Sequence, residues 1–182
     1  VGEVAAGVTD WLVRRAGIAD AASIARIQVA GWRAAYADIV PAEFLAGMDK
    51  TDRVALWQER LRTPEPTATF VAVDERDAIA AYCTVGVLRT EDGKGDPRMG
   101  ELMAIYVDPA RYRSGAGRVI HDAGLDHLVR QGFDRAGLWV FTANADARAF
   151  YAARGWTPDG ETHDDEIAGR VIHETRYTRP LL

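Results

Sequence analysis

Residues 101–118 read Glu101-Leu-Met-Ala-Ile-Tyr-Val-Asp-Pro-Ala-Arg-Tyr-Arg-Ser-Gly-Ala-Gly-Arg118, and the fold turns on what this stretch can form. Its first seven residues are a β-type run. Asp108-Pro109 interrupts it, and the loop Tyr112-Arg113-Ser114-Gly115-Ala116-Gly117 opens a helix that continues to Gln131. Two glycines let the loop turn tightly with its N–H groups outward, and the helix end adds unpaired amides and a positive dipole end. That is a receptor for a phosphate or pyrophosphate, although a plain strand-to-helix turn has the same composition. The P-loop string Gly-x-x-x-x-Gly-Lys-Ser/Thr does not occur, and Ile120 stands where a dinucleotide fingerprint needs its third glycine.

Working outward, the helix after the loop carries Ala116, Ile120, Ala123, Gly124 and Leu128 on one face and a polar stripe of Arg118, Asp122, Asp126 and Arg130 opposite. Gly137 to Phe141 reads as a strand, which makes a βαβ unit with parallel strands and a right-handed crossover. The glycine loop then lies at the carboxyl end of the strand, where ligands of open α/β sheets gather. Asn144 can cap a helix over Ala145 to Arg154 that carries Phe150 and Tyr151 and stops at Gly155. Glu161 to Glu166 reads as an acidic loop and Val171 to Tyr177 as a closing strand.

Upstream, Trp11 to Ala16 reads as a first strand, and Asp20 is placed to cap a helix that runs to about Tyr36. Trp32 and Tyr36, four apart, share a face of it, and the chain restarts through Phe44. A helix from about Asp52 to Leu61 is ended by Pro64 and Pro66. Thr69 to Asp74 and Ile79 to Val87 form a hairpin, and Arg89 to Arg98 is a polar surface loop.

Composition bounds the rest. A chain of 182 residues with 48% hydrophobic content suits one packed domain, expected over residues 11–182 behind a flexible or processed tail at 1–10. Its 22 basic and 27 acidic residues, net −5, argue against a nucleic-acid surface. The single cysteine, Cys83, reads as a small buried hydrophobe. The lack of a cysteine framework fits a reducing, cytoplasmic setting. No apolar run approaches the ~20 residues of a membrane span. His121, His127, His163 and His173 have no ligand spacing, so they are expected on the surface or the sheet and no metal is expected.

The stretch 101–118 resembles the strand and Arg/Gln-x-x-Gly-x-Gly/Ala loop of the GNAT superfamily of acyl-CoA-dependent N-acetyltransferases, with Tyr112 where the pattern has Arg or Gln. Asn144-Ala-Asp-Ala-Arg-Ala-Phe-Tyr-Ala-Ala-Arg-Gly-Trp156 is similar to the family's Asn-x-x-Ala-x-x-Phe-Tyr-x-x-x-Gly-Phe segment, in the right order. Arg14 to Leu45 looks like the family's first strand and split acceptor-side helices. The resemblance implies an α/β (α+β) fold: a mixed, mostly antiparallel sheet, its central parallel strands splayed so that acyl-CoA enters the gap, with helices on both faces.

It also implies an activity, acetyl transfer from acetyl-CoA to an amine of a small molecule or a protein, and it is compatible with a homodimer. Backbone groups of Ile105, Tyr106 and Val107 would pair with the pantetheine arm. Tyr112, Arg113, Ser114, Gly115, Ala116, Gly117 and Arg118 would hold the pyrophosphate, and Asn144 would bind the cofactor or simply cap its helix. Tyr151 would protonate the departing thiolate. Trp139 takes the place where some relatives carry a glutamate, which leaves Glu101 as the base, on the Met103 and Ile105 side by plain alternation unless a bulge intervenes. Trp32, Tyr36 and Phe44 would line the acceptor side. The acidic 161–166 segment is expected to be solvated. A non-catalytic acyl-CoA sensor is the competing reading, and a nucleotide-binding domain a third.

Overall fold

The computed structural model describes residues 10–62, 67–88 and 96–182. The tail expected at 1–10 therefore falls almost wholly outside the described residues, as do Pro64, Pro66 and most of the 89–98 loop. Seven strands form one sheet in the order β1-β2-β3-β4-β5-β7-β6. They are β1 (Leu12–Arg15), β2 (Ala68–Val73), β3 (Ile79–Leu88), β4 (Asp96–Val107), β5 (Arg135–Phe141), β6 (Thr157–Ile167) and β7 (Arg170–Pro180). Among the described residues only β4 and β5 run parallel; every other neighbouring pair is antiparallel. The mixed, mostly antiparallel sheet with splayed central strands is thus present.

Among the described residues five α-helices cover its two faces: α1 (Ala21–Ala35), α2 (Ala42–Gly47), α3 (Lys50–Arg62), α4 (Ala116–Arg130) and α5 (Ala145–Ala152). On one face Ile120, Leu125 and Leu128 of α4 pack with Cys83, Val85, Leu102 and Leu138, and Tyr151 of α5 joins them. On the other, Ile24 and Ile27 of α1 and Trp57 of α3 pack on Val71, Val73 and Tyr82. A third cluster on that second face gathers Val29, Val40 and Leu45 against Phe141, Ile167 and Ile172. Cys83 is fully buried, its thiol donates to the Ile120 carbonyl at 3.2 Å, and burial pushes its pKa up to about 12.

Four local expectations are corrected. The acidic 161–166 segment lies within β6, because Thr162 to Ile167 pair in register with Thr175 to Arg170 across a turn at Ala168-Gly169, both at positive φ. As the outer strand, exposed along almost its whole length, β6 has no buried face to print an apolar alternation. Asp96 to Arg98 belong to β4 and not to a loop. Asp20 does not cap α1 with its side chain; its carboxylate accepts from Arg14 at 2.8 and 3.0 Å and from the Gly17 amide, and Arg14 holds it below the usual carboxylate range.

The fourth concerns Glu101. The β3–β4 register passes from Thr84 opposite Ala104 to Val85 opposite Leu102, so Met103 is an extra, bulged residue. Leu102 and Ile105 both pack on the α4 side as a result. A Cβ on Gly100 would meet Leu128 of α4, so Glu101, between Gly100 and Leu102, points to the α1 side with Tyr106 and away from Ile105.

Candidate functional site

The site begins where two parallel strands part. β4 and β5 pair only at Met99–Arg135, Gly100–Ala136 and Glu101–Gly137. Beyond that rung β4 keeps β3 on one side and β5 keeps β7, while the edges facing each other have no strand partner among the described residues. The Ile105 to Val107 edge of β4 is therefore open to an extended ligand that pairs like a strand.

The glycine loop sits at the mouth of this wedge. Arg113 (φ 61°) and Gly115 (φ 89°) adopt left-handed conformations two residues apart, which turns successive amides outward before α4 begins. The Ala116 and Gly117 amides are the first of the helix and have no intrahelical acceptor. The loop is anchored by the Trp11 indole, which donates to the Ser114 carbonyl at 3.0 Å, and by the Ser114 hydroxyl, which donates to the Arg111 carbonyl at 2.7 Å. Arg113 and Arg118 are exposed beside it. Gly117 serves close packing as well: a Cβ there would lie 3.2 Å from Val107. The open amides, the two arginines and the free strand edge fit a pyrophosphate with a peptide-like arm.

Tyr112 is 51% exposed. Partial burial, Asp108 and Asp146 raise its pKa, and it contributes in turn to raising that of Tyr36. Asn144 caps α5, its Oδ1 accepting from the Ala147 amide at 3.1 Å. The capping alternative is therefore realised, and the side-chain NH₂ is what is left for a ligand.

Tyr151 projects from α5 with its ring 8% exposed, packed on Phe150 (centroids 5.5 Å apart) and Trp156 (6.2 Å). Its hydroxyl makes no hydrogen bond among the described residues; the residue packs in the α4-side core and also interacts electrostatically with Tyr36 and Tyr106, whose rings belong to the other face. Burial raises its pKa and the nearby Tyr36 raises it further, which keeps the phenol protonated at neutral pH. Tyr36 and Tyr106 are joined hydroxyl to hydroxyl at 3.2 Å. Burial raises both. Glu101, 4% exposed, stands on the last paired rung, at the apex of the wedge.

Trp32, Tyr36 and Phe44 do come together: Trp32 lies 5.0 Å from Tyr36 and 6.0 Å from Phe44, centroid to centroid. Phe141 of β5 completes this wall at 4.7 Å from Tyr36. Sequence reasoning did not single it out, because only the pairing of β5 within the sheet brings it under α1.

Two more residues were missed. Glu174, opposite Phe141 on β7, acts electrostatically on Tyr36. His121, expected on the surface or the sheet, is fully buried on α4. Its Nε2 accepts from the Trp156 indole at 2.9 Å, so Nδ1 carries the proton and donates to Asp122 at 2.8 Å. Both ring nitrogens are satisfied, which is what permits its burial. Among the described residues no group of histidine, cysteine and carboxylate side chains is arranged to hold a metal ion. Nor is any helix there long and apolar enough to cross a membrane.

The family model described as the acetyltransferase (GNAT) family matches residues 32–156 of this chain, which includes the glycine loop, the wedge and Tyr151. The chain belongs to that family. It is accordingly an acetyltransferase. An uncharacterized N-acetyltransferase, YuaI, of Bacillus subtilis strain 168 is 33% identical over 171 residues, 93% of each chain. A mycothiol acetyltransferase of Segniliparus rotundus is 35% identical over 114 residues, 61% of this chain but 40% of that relative, so the match spans less than half of the relative's length. A GNAT superfamily phosphinothricin acetyltransferase from Sinorhizobium meliloti, solved in complex with AcCoA, shares the fold at a TM-score of 0.69 and 22% identity, over 93% of this chain and 88% of that one.

Proposed function

We propose that this acetyltransferase takes its acyl group from acetyl-CoA and delivers it to a primary amine of a small molecule or protein. One observation supports the reading: Tyr151, buried and without a hydrogen-bond partner among the described residues, interacts electrostatically with Tyr36 and with Tyr106 of β4. Acetyl-CoA supplies the acyl group as a thioester. The amides of Arg113, Gly115 and Gly117, with the Arg113 and Arg118 side chains, hold its pyrophosphate, and the Ile105 to Val107 edge aligns the arm by strand-like hydrogen bonds.

Glu101, at the apex on the α1 side, takes the proton of the incoming ammonium directly or through a water. A backbone amide of β4 polarises the thioester carbonyl. As the C–N bond forms and the C–S bond breaks, Tyr151 gives its proton to the departing thiolate. The nitrogen, which still carries one proton too many once the C–N bond has formed, gives it up through water to the Tyr151 phenolate, so that a neutral amide leaves and the phenol is restored. The aromatic wall of Trp32, Tyr36, Phe44 and Phe141 receives the body of the acceptor.

The test is thiol release from acetyl-CoA across a panel of amines, run on wild type and Tyr151→Phe. Turnover that requires an added amine is expected. The phenylalanine variant should lose roughly a hundredfold or more in kcat at little change in the acetyl-CoA KM. Equal turnover by the two proteins would remove Tyr151 from the chemistry.

A further inference from the structure

We infer that Glu174 selects the acceptor by binding a second protonated nitrogen, so that the favoured substrates of this cleft are amines carrying two positive charges. The inference rests on the transferase reading above and adds to it the class of acceptor.

Position is the first argument. Glu174 is directly opposite Phe141 in the β5–β7 pair and opposite His163 in the β6–β7 pair, so its side chain shares the α1 face with both. On that face Phe141 touches Tyr36 and Trp32, with centroids 4.7 and 6.4 Å away. Glu174 thus borders the aromatic wall. It is not at the reacting end. Phe141 lies four residues beyond the Gly137 rung that Glu101 shares, about 13 Å of strand, so the two carboxylates mark two stations along one cleft.

Charge is the second. Glu174 is half-buried and makes no hydrogen bond or ion pair among the described residues. The groups facing it are mostly of its own sign: Asp165 of β6 and Glu101 of β4, with Tyr36 of α1 beside them and His163 of β6 the one opposing influence. Burial first and Asp165 next raise its carboxyl above the ordinary range. Arg176, two residues on along the same strand and on the same face, is engaged elsewhere, donating to Asp159 at 2.8 Å and lying over the Trp139 ring. A partly desolvated carboxylate without an ion-pair partner among the described residues, at the Phe141 and Tyr36 end of the aromatic wall, suits an ammonium group: the carboxylate supplies the ion pair and the rings supply cation–π attraction.

The test compares diaminobutane with pentylamine, which has similar length and one charge, in thiol-release assays on wild type, Glu174→Gln and Glu174→Asp. Wild type should prefer the diamine by roughly tenfold in kcat/KM, Glu174→Gln should bring the ratio to about twofold or less, and Glu174→Asp should keep most of it. No preference in wild type, or a preference that survives in Glu174→Gln, overturns the inference. Should no amine be acetylated at all, the transferase reading fails by itself. Calorimetric binding of diaminobutane then decides the site: binding lost in Glu174→Gln upholds it, and equal binding by both proteins refutes it.

Discussion

Removing the acceptor that His121 offers to Trp156 should destabilise the protein in a pH-dependent way. Both side chains are essentially inaccessible, at 0% and 1% exposure, and the bond between them is 2.9 Å long. His121→Ala strands a buried indole N–H, which costs about 1–3 kcal/mol, and leaves a ring-sized gap worth about another 1 kcal/mol. The sum, roughly 2–4 kcal/mol, corresponds to a fall in Tm of about 4–16 °C in a chain of this size. The bond to Asp122 adds little, because that carboxylate is exposed.

Burial holds the His121 pKa below its ordinary value, against the opposing pull of Asp122; Arg154 and Arg179 lower it further. A group with a lowered folded pKa takes up protons more readily when unfolded, so its contribution is complete above about pH 6.5 and fades as pH falls through the folded value. Urea unfolding of wild type and His121→Gln between about pH 5 and pH 8 isolates this, since a glutamine carbonyl can accept the indole N–H without titrating. Wild type should lose its advantage over the glutamine variant toward the acid end. A double replacement, His121→Leu with Trp156→Phe, should be less damaging than the sum of its parts. A constant difference across the pH range, together with additive losses, would refute the account.

Other perturbations test other parts of the site. Gly115→Val forces a β-branched residue to φ 89° and should raise the acetyl-CoA KM while costing about 1–3 kcal/mol of stability, read by donor titration and thermal melts. Gly31→Ala sets a Cβ 2.8 Å from Tyr106 Cδ1, so α1 or the Tyr36–Tyr106 pair must move; a loss of about 1–3 kcal/mol is expected, with amine KM changing more than acetyl-CoA KM. Cys83, buried and with its thiol pKa at about 12, should resist iodoacetamide at neutral pH in the native state and react at least about a hundredfold faster in denaturant, as mass spectrometry would record.

What was legible in the chain was local. The glycine loop, the helix after it, the Asn144 cap and the shared face of Trp32 and Tyr36 each depend on residues within about one or two helical turns. What was illegible depends on partners distant in sequence. His121 reads as a flanking helix position until Trp156, 35 residues on, is folded against it. Glu101 changes sides because of a one-residue bulge at Met103 that no residue type announces. The acidic 161–166 segment has no apolar alternation, so its strand character comes only from its pairing with β7. Glu174 acquires its setting from two strands at once, β5 on one side and β6 on the other.

On the proposed reading the two halves of the cleft are built from different materials. The donor half consists largely of backbone: outward amides in the loop, the first turn of α4 and an unpaired strand edge, all of which depend on chain path more than on side-chain identity. On that reading Tyr112 does not remove the receptor, since the amides remain. The acceptor half is made of side chains contributed by α1, α2, β4, β5 and β7, and each is replaceable without disturbing the sheet ladder. Substitutions that alter the amine acceptor should accordingly concentrate at Trp32, Tyr36, Phe44, Phe141 and Glu174 and leave donor binding intact. Exchange of Phe44 for a smaller residue is the sharpest case, because it stands at the rim of the wall, 6.0 Å from Trp32, and has no place in the wedge between β4 and β5. Phe44→Ala should broaden the set of amines accepted while the acetyl-CoA KM holds; a parallel rise in that KM would mean the two halves are not separable.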